Sequence, residues 1–417
     1  MKKKIVALVL VLALAASLAI GLAACNDPQE SGPVSFSPIA KEDIKFGLIC
    51  LHDENSTYDA NFINAAREAC NDMGVELVIR TGIPEDATCY DTAVELINEG
   101  CNMIFADSFG HESYILQAAQ EYPNIRFAHA TGTTAHTELL PNFYNAFASI
   151  YEGRYLAGVV AGYELNEMIA NGEITADQAK MGYVGAFPYA EVISGFTSFY
   201  LGAKSVCPSV TMEVRYTGSW YNETAEKNTA LALIESDCVL ISQHADSSGA
   251  PTACQEKGVP NVTYNVAFTE NSTYLAGSRI DWAPYFRYYI NCVINGVTAI
   301  DFDWTGHYSD NDDVSSVKLL EYGAAVSDDV KQAVEEAAAA LAAGTLQVFD
   351  VTTFTVGGKT LTSYLADVDT DTNYAKDTQV IITDEETGIT YFAESLYRSA
   401  PYFDIIIDGI TSITANA

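Results

Sequence analysis

From Ile44 to about residue 349, short runs rich in β-branched and aromatic residues alternate with longer segments whose apolar positions return every three or four residues. That alternation is the pattern of a parallel sheet covered by helices. Residues 45–51 (KFGLICL) predict a first strand, and Phe62, Ala66, Ala69, Cys70 and Met73 fall on one helical face before Gly74 ends the helix. Strands at 75–80, 102–106 and 125–130, with helices near 88–99 and 112–120, complete one doubly wound lobe. The order repeats after Arg154. A helix carrying Leu156, Val159, Val160 and Tyr163 precedes strands at 180–185, 211–216, 238–243 and 262–265, with helices near 190–205, 223–235 and 250–257 between them. The pattern therefore predicts an α/β chain of two doubly wound, Rossmann-like lobes with a cleft between them. Past Phe349 the character changes to Thr-, Val- and Tyr-rich runs with a hairpin signal at 384–388 (DEETG). Residues 350–417 are expected to form a β-rich extension associated with the carboxyl-terminal lobe.

Right-handed crossovers leave the carboxyl ends of parallel strands free, and ligands bind outside those ends. The loops at 52–59, 107–111, 186–191, 217–222, 244–249 and 266–270 are thus where a site should lie.

The amino terminus adds a compartment. Lys2, Lys3 and Lys4 precede an uncharged run, 5–22, that ends in Leu22-Ala23-Ala24-Cys25. This reads as a signal peptide over 1–24 followed by a lipid-accepting Cys25. Residues 25–43, polar and containing Pro, Ser and Gly, read as a tether. The expected location is the extracytoplasmic side of the cell membrane, held there by lipid on Cys25. Losing residues 1–24 with their three lysines takes the formal charge from -34 to -37. Such an acidic body argues against nucleic acid or an anionic bilayer as its partner. The other cysteines, at 50, 70, 89, 101, 207, 238, 254 and 292, form no CxxC or Cys/His spacing and lie mostly in apolar segments, so they read as buried thiols ahead of disulfides.

Catalytic signatures are poor. GxSxG is absent, and Val356-Gly357-Gly358-Lys359-Thr360 imitates the end of a phosphate loop without its first glycine. His52-Asp53-Glu54 and Asp310-Asn311-Asp312-Asp313 read as polar loops instead of metal sites. In 241–251 (ISQHADSSGAP), His244, Asp246 and Ser247 share one loop, whereas a triad needs side chains converging from separate points. Ser247, Ser248 and Gly249 read as a helix cap with Pro251 in the first turn, which leaves Asp246 free to face the cleft. The reading is of no enzyme, no catalytic residue, no metal and no cofactor.

The strand-end loops instead offer aromatic surface: Tyr58, Phe109, Phe187, Tyr189, Trp220, Tyr221 and Trp282. Flat walls suit a flat heterocycle, with Asp246 and Asn265 able to fix its edge by hydrogen bonds.

Several stretches carry a resemblance: FADSFG (105–110), FYNAFASIYEGRYLAGVVAG (143–162), MGYVGAFPYAEVISGFTSFYLGAKSVCPS (181–209), TGSWYNETAEKNTALALIES (217–236), QHADSSGAP (243–251) and WAPY (282–285). With these words the chain resembles the basic membrane protein family of bacterial lipoproteins, solute-binding components of ABC importers that include purine-nucleoside receptors. The resemblance implies a type I periplasmic-binding-protein fold with three interlobe crossings, closing over a purine base or nucleoside and docking on an ABC permease and ATPase complex. It places ligand contact on Ser108, Phe109, Trp220, Asp246 and Trp282. Tyr58 falls in a loop, His52 to Tyr58, that departs from the family's wording, and His244 and Glu191 are edge contacts or hinge and lobe-packing residues.

The expected partition is 44–145 with 266–302 for the amino-terminal lobe and 146–265 with 303–349 for the carboxyl-terminal one, with crossings near 144–148, 264–268 and 300–306. Two rival readings remain: a surface nucleoside hydrolase using Asp246, His244 and Glu191, and a sensing or adhesion lipoprotein whose tail binds a protein.

Overall fold

The computed structural model describes residues 36–298 and 300–413. The expected signal segment 1–24, Cys25 and most of the tether lie outside the described residues.

The chain first lays down β1 (Lys45–Ile49), α1 (Thr57–Met73), β2 (Glu76–Arg80), α2 (Ala87–Asn98), β3 (Met103–Ala106), α3 (Glu112–Glu121), β4 (Arg126–Ala130), α4 (Ala135–Glu138) and β5 (Phe143–Ala148). Local chemistry sets these limits. Helix α1 starts where the Ser56 side chain accepts the Asp59 amide, and it stops at Gly74, whose φ of 68° suits a residue without Cβ. Then follow α5 (Ile150–Ala170), β6 (Lys180–Gly185), α6 (Ala190–Val206), β7 (Thr211–Tyr216), α7 (Glu223–Glu235), β8 (Leu240–His244), α8 (Gly249–Lys257), β9 (Asn261–Tyr264) and β10 (Tyr274–Ile280). The chain continues through α9 (Ala283–Ile294), β11 (Asp303–Gly306), β12 (Val317–Leu319) and α10 (Asp328–Ala342).

Two sheets result. One has the order β11-β5-β4-β3-β1-β2, and every pairing in it is parallel. The other runs β12-β10-β9-β8-β6-β7 and gains one more strand at its far edge; only β12 pairs antiparallel. The strand order reverses between β1 and β3 in the first sheet and between β6 and β8 in the second, which opens a crevice at the carboxyl ends of each pair.

The crossings differ from the expected ones. The first lies at Ser149, between β5 in one sheet and α5, which packs on α6 of the other lobe. The second is at Asp281 and Trp282, not 264–268, because β10 pairs beside β9 and only then does the chain return, as α9, to pack on α1. The third is 307–316, because β11 pairs with β5 before β12 joins β10. Residues 274–280 therefore belong to the carboxyl-terminal sheet and 303–306 to the amino-terminal one, the reverse of the expected division. An added strand follows the hydrogen-bonding edge that is open to it, and sequence alone does not show which edge that is.

Each sheet buries apolar residues on both faces. Phe46, Phe62, Phe105, Phe286 and Tyr289 fill one side of the first lobe and Cys89, Leu96, Ile104 and Ile115 the other. In the second lobe α5 and α6 touch backbone to backbone: a Cβ on Gly202 would stand 2.0 Å from the Tyr155 carbonyl oxygen, and one on Gly158 2.1 Å from that of Phe199. The cysteines at 50, 70, 89, 101, 207, 238, 254 and 292 are all buried and unpaired.

The extension carries less strand than expected. β13 (Leu365–Ala366) pairs with β14 (Thr378–Gln379), β15 (Ile381–Thr383) with β16 (Thr390–Phe392), and β17 (Ile410–Ile413) lengthens the second sheet by pairing parallel to β7. The rest is irregular, because Phe354, Phe392, Tyr402 and Phe403 are spent on the apolar core of the carboxyl-terminal lobe instead of on a sheet of their own. No described helix is long and apolar enough to cross a membrane.

Candidate functional site

The two crevices face one another, and the strand-end loops close on a small cavity of about 20 Å³. Its lining brings together Tyr58, Ser108, Phe109, Glu191, Trp220, His244 and Asp246 from the expected set. It also includes Leu51, His52, Asp59 and Thr131, which sequence reasoning did not assign to the ligand. Leu51, His52, Tyr58 and Asp59 follow β1, Ser108 and Phe109 follow β3, and Thr131 follows β4. From the facing lobe, Glu191 follows β6, Trp220 follows β7, His244 ends β8 and Asp246 follows it.

Three expected residues stand elsewhere. Trp282 is buried in the amino-terminal lobe, its ring stacked on Phe62 at 4.3 Å between centroids, because it caps α9 just after the chain has crossed over. Phe187 stands behind the lining, stacked on Tyr189 at 5.1 Å and edge-on to Trp220 at 5.1 Å. Asn265, in left-handed conformation with φ 67°, accepts a hydrogen bond from Asn61 Nδ2 at 2.7 Å, so it ties the lobes together.

The cleft is shut. Besides the asparagine pair, the Thr57 amide donates to the Asp246 carbonyl at 2.8 Å across the lobes. The His52 ring lies against Tyr221 at 5.4 Å, and Phe109 meets Tyr189 at 5.7 Å. Phe109 and Tyr189 remain exposed as aromatic lips.

The polar groups are unevenly occupied. Ser108 turns its hydroxyl to Glu85 Oε1 at 2.7 Å, and the same oxygen accepts the Gly110 amide at 2.8 Å. A Cβ at residue 110 would stand 2.6 Å from the Glu85 carboxyl carbon, so this close approach requires glycine. Beneath that loop His129 Nε2 bonds the Ser108 carbonyl at 2.6 Å, and burial holds the ring below its usual range. Asp59 is also buried, which raises its carboxyl, but hydrogen bonds from His52 and Ser56 outweigh that and leave it below the usual range. Across the cleft His244 Nε2 faces Glu191 Oε1 at 3.3 Å, and its ring rests 4.5 Å from that of Tyr264.

Asp246 is different. Its carboxyl lines the cavity with no side-chain hydrogen bond to any described residue. Burial, followed by the nearby carboxylates of Asp59, Glu226 and Glu191, pushes it well above the ordinary carboxylate range. A carboxyl kept neutral both donates and accepts.

The expected serine cap is not made: Ser248, the N-cap of α8, turns its hydroxyl to Glu223 and forms no side-chain cap bond, while Ser247, one residue earlier, accepts the Gly249 amide at 3.1 Å. Ligand atoms of Cys50, Asp59 and Asp107 come within 4.8 Å of one another behind the cavity. Burial pushes the Cys50 thiol and the Asp107 carboxyl well up, which works against the deprotonated donors a metal needs. A second group, Asp369, Asp371 and Asp377, lies in a surface loop of the extension.

Residues 51–280 match the profile of a family described as ABC transporter substrate-binding protein PnrA-like, Bmp for short. The chain belongs to this family. Bmp proteins are solute-binding components of ABC transporters, working outside the cytoplasm on small molecules, and are not enzymes. Membership removes the hydrolase reading of Asp246, His244 and Glu191. Among relatives, a purine-binding protein of Brucella abortus is 29% identical over 74% of this chain and 84% of its own length. A putative ABC transporter glucose-binding protein of Haloferax volcanii is 30% identical over 56% of this chain and 55% of its own length. An ABC transporter nucleoside-binding protein of Lactococcus lactis is 26% identical over 62% of this chain and 70% of its own length. A solved ABC transporter solute-binding protein from Conexibacter woesei superposes with a TM-score of 0.58 at 21% identity, covering 73% of this chain and 98% of its own, which shows the type I periplasmic-binding-protein fold for this Bmp chain.

Proposed function

We propose that this Bmp protein captures a purine base or purine nucleoside between its lobes and delivers it to an ABC permease and ATPase complex. The observation that carries the reading is the Asp246 carboxyl, unpartnered in a cavity walled by Tyr58, Phe109 and Trp220. A purine presents ring nitrogens that accept and N–H groups that donate, side by side on a flat edge. A neutral carboxyl is complementary to such a pair, and aromatic faces contribute roughly 1–3 kcal/mol for each stacked base. The names of the Brucella and Lactococcus relatives agree with this.

A sugar is the second reading. The Haloferax relative carries a glucose-binding name, and carboxylates beside aromatic rings also suit a pyranose. Purified protein lacking residues 1–25 separates the two in a thermal-shift panel of nucleobases, nucleosides and sugars. A ligand at a hundredfold excess over its Kd stabilises the folded state by about 2.7 kcal/mol. Purines or their nucleosides are expected to raise Tm. A rise with glucose and none with any purine compound overturns the reading.

In the same proposal, residues 1–24 are removed on export and lipid on Cys25 holds the tether at the outer face of the membrane. Cys25→Ala is then expected to move the protein from the membrane fraction to the medium or periplasm, and continued membrane retention would refute the anchor.

A further inference from the structure

The cleft does not end at its aromatic lips. Phe109, Thr131, Glu191 and Trp220 also line a second chamber of about 320 Å³, whose far wall is Arg398, Ala400, Pro401 and Asp404. That wall comes from the extension, beyond the stretch that matches the family. It is fastened to both lobes. The Ser399 amide donates to Asp303 Oδ1 on β11 at 2.9 Å, Tyr151 of α5 donates to the Glu394 carbonyl at 3.2 Å, and β17 continues the carboxyl-terminal sheet.

Arg398 is held in place without being used up. It donates through Nε to the Ala400 carbonyl at 3.2 Å, through Nη1 to that of Asp367 at 3.3 Å and through Nη2 to that of Pro401 at 3.3 Å. A guanidinium carries five N–H donors, so two are left over, and no carboxylate of the described residues forms an ion pair with it. The chamber's acids are Glu191, which faces His244, and Asp404, which is bound by Lys376 at 2.7 Å and by the Tyr364 hydroxyl. Hydroxyl groups match this set, because each can accept from Arg398 and donate to a carboxylate. A phosphate could accept from Arg398 but would meet Glu191 and Asp404 with like charge.

We infer that the extension supplies an outer subsite for the ribose of a purine nucleoside, with Arg398 as its recognition group. The inference rests on the purine reading of the inner cavity, since the base must occupy that cavity for the sugar to reach this chamber. It makes the protein a receptor for nucleosides ahead of free bases or nucleotides.

Calorimetry on the chain lacking residues 1–25 tests it with adenine and guanine, their nucleosides and the corresponding 5′-monophosphates. A nucleoside is expected to bind about tenfold or more tightly than its base, with the monophosphate no tighter than the nucleoside. In Arg398→Ala the nucleoside is expected to weaken about tenfold while its base is unaffected. Arg398→Gln, which keeps a hydrogen-bonding side chain over the same carbonyls, serves if the alanine variant melts early, and the same loss is expected there. Equal affinity of base and nucleoside for the unsubstituted protein, or an equal change for both ligands in the Arg398 variants, overturns the subsite. Tighter binding of the monophosphate overturns its assignment to a neutral sugar. No affinity for any of these compounds overturns the purine reading, and the subsite with it.

Discussion

The backbone amide of Thr57 donates to the backbone carbonyl of Asp246 at 2.8 Å, so the first residue of α1 in one lobe is tied to the loop that presents the unpartnered carboxyl in the other. Closing the cleft and placing Asp246 are thus one event. A ligand that touches both lobes favours the closed state by its differential affinity for it.

The bond can be removed alone. Thr57 is the first helical residue, where proline is tolerated, and Ser56 before it is already extended at φ -74° and ψ 127°. Thr57→Pro is expected to leave Tm nearly unchanged while weakening ligand binding by about 0.5–1.5 kcal/mol, the worth of one net hydrogen bond. Calorimetry measures the affinity, and small-angle scattering of the ligand-free protein should show a larger radius of gyration. Unchanged affinity and radius together would remove this bond from the closing mechanism.

The two tryptophans separate ligand contact from folding. Trp220 lines the cavity, so Trp220→Ala is expected to cost roughly 1–3 kcal/mol of ligand affinity with little effect on Tm. Trp282 is buried among Phe62, Phe105 and Phe286, so Trp282→Ala is expected to cost about 3–5 kcal/mol of stability. Chemical denaturation and calorimetry on both variants give the answer, and a reversed pattern would contradict these placements.

Asp246 should make binding pH-dependent. Its carboxyl is held well above the ordinary range by burial and by Asp59, Glu226 and Glu191, so it stays neutral on the acid side and ionises only as pH rises. If the neutral acid reads the ring edge, affinity falls as pH rises through that raised value, whereas Asp246→Asn, which always donates and accepts, binds with a flatter profile. Identical profiles for the two proteins would show that the group bound at Asp246 is indifferent to its proton.

Glu394 holds two backbone amides inside the extension at an energetic cost. It accepts the Tyr402 amide at 3.1 Å and the Phe403 amide at 2.9 Å, yet burial raises its carboxyl from 4.5 to about 7. A carboxyl that holds its proton more tightly in the folded chain destabilises the fold once it must ionise. Its contribution is therefore intact below about 4.5 and is lost as pH climbs toward 7. Glu394→Gln keeps an acceptor for both amides and cannot ionise. It is expected to match the parent near pH 4.5 and to exceed it above pH 7, by up to about 3 kcal/mol. Parallel stability curves across this range would show that Glu394 does not titrate with folding.

The alternation of strand and helix was legible because each sheet is buried on both faces, which writes a continuous apolar run into β3 and keeps every position of β4 and β8 buried, polar residues included. Position in the chain also placed Tyr58, Phe109, Trp220 and Asp246 beside a cleft, since strand carboxyl ends at a reversal of strand order face open space whatever the side chains are. The same reasoning misplaced Trp282. It follows a strand as the others do, but β10 is the strand after which the chain leaves its lobe, and whether a strand end opens to the cleft or leads across it depends on the pairing of β9, β10 and β11. His52 and Asp59 were passed over for a related reason. They are seven positions apart in an unremarkable polar loop, and only the start of α1 folds the His52 amide onto the Asp59 carboxylate at 2.7 Å.

The sequence by itself determined the doubly wound lobes, the family and the loops that face the cleft, because periodicity and strand-end position are local properties of the chain. Tertiary structure alone decided the rest. It chose the edges at which β10, β11 and β17 add, brought the Thr57 amide to the Asp246 carbonyl, and set Arg398 of the extension at the mouth of the cleft. Those contacts join residues far apart in sequence, and they form only where packing leaves an open strand edge or an unsatisfied polar group.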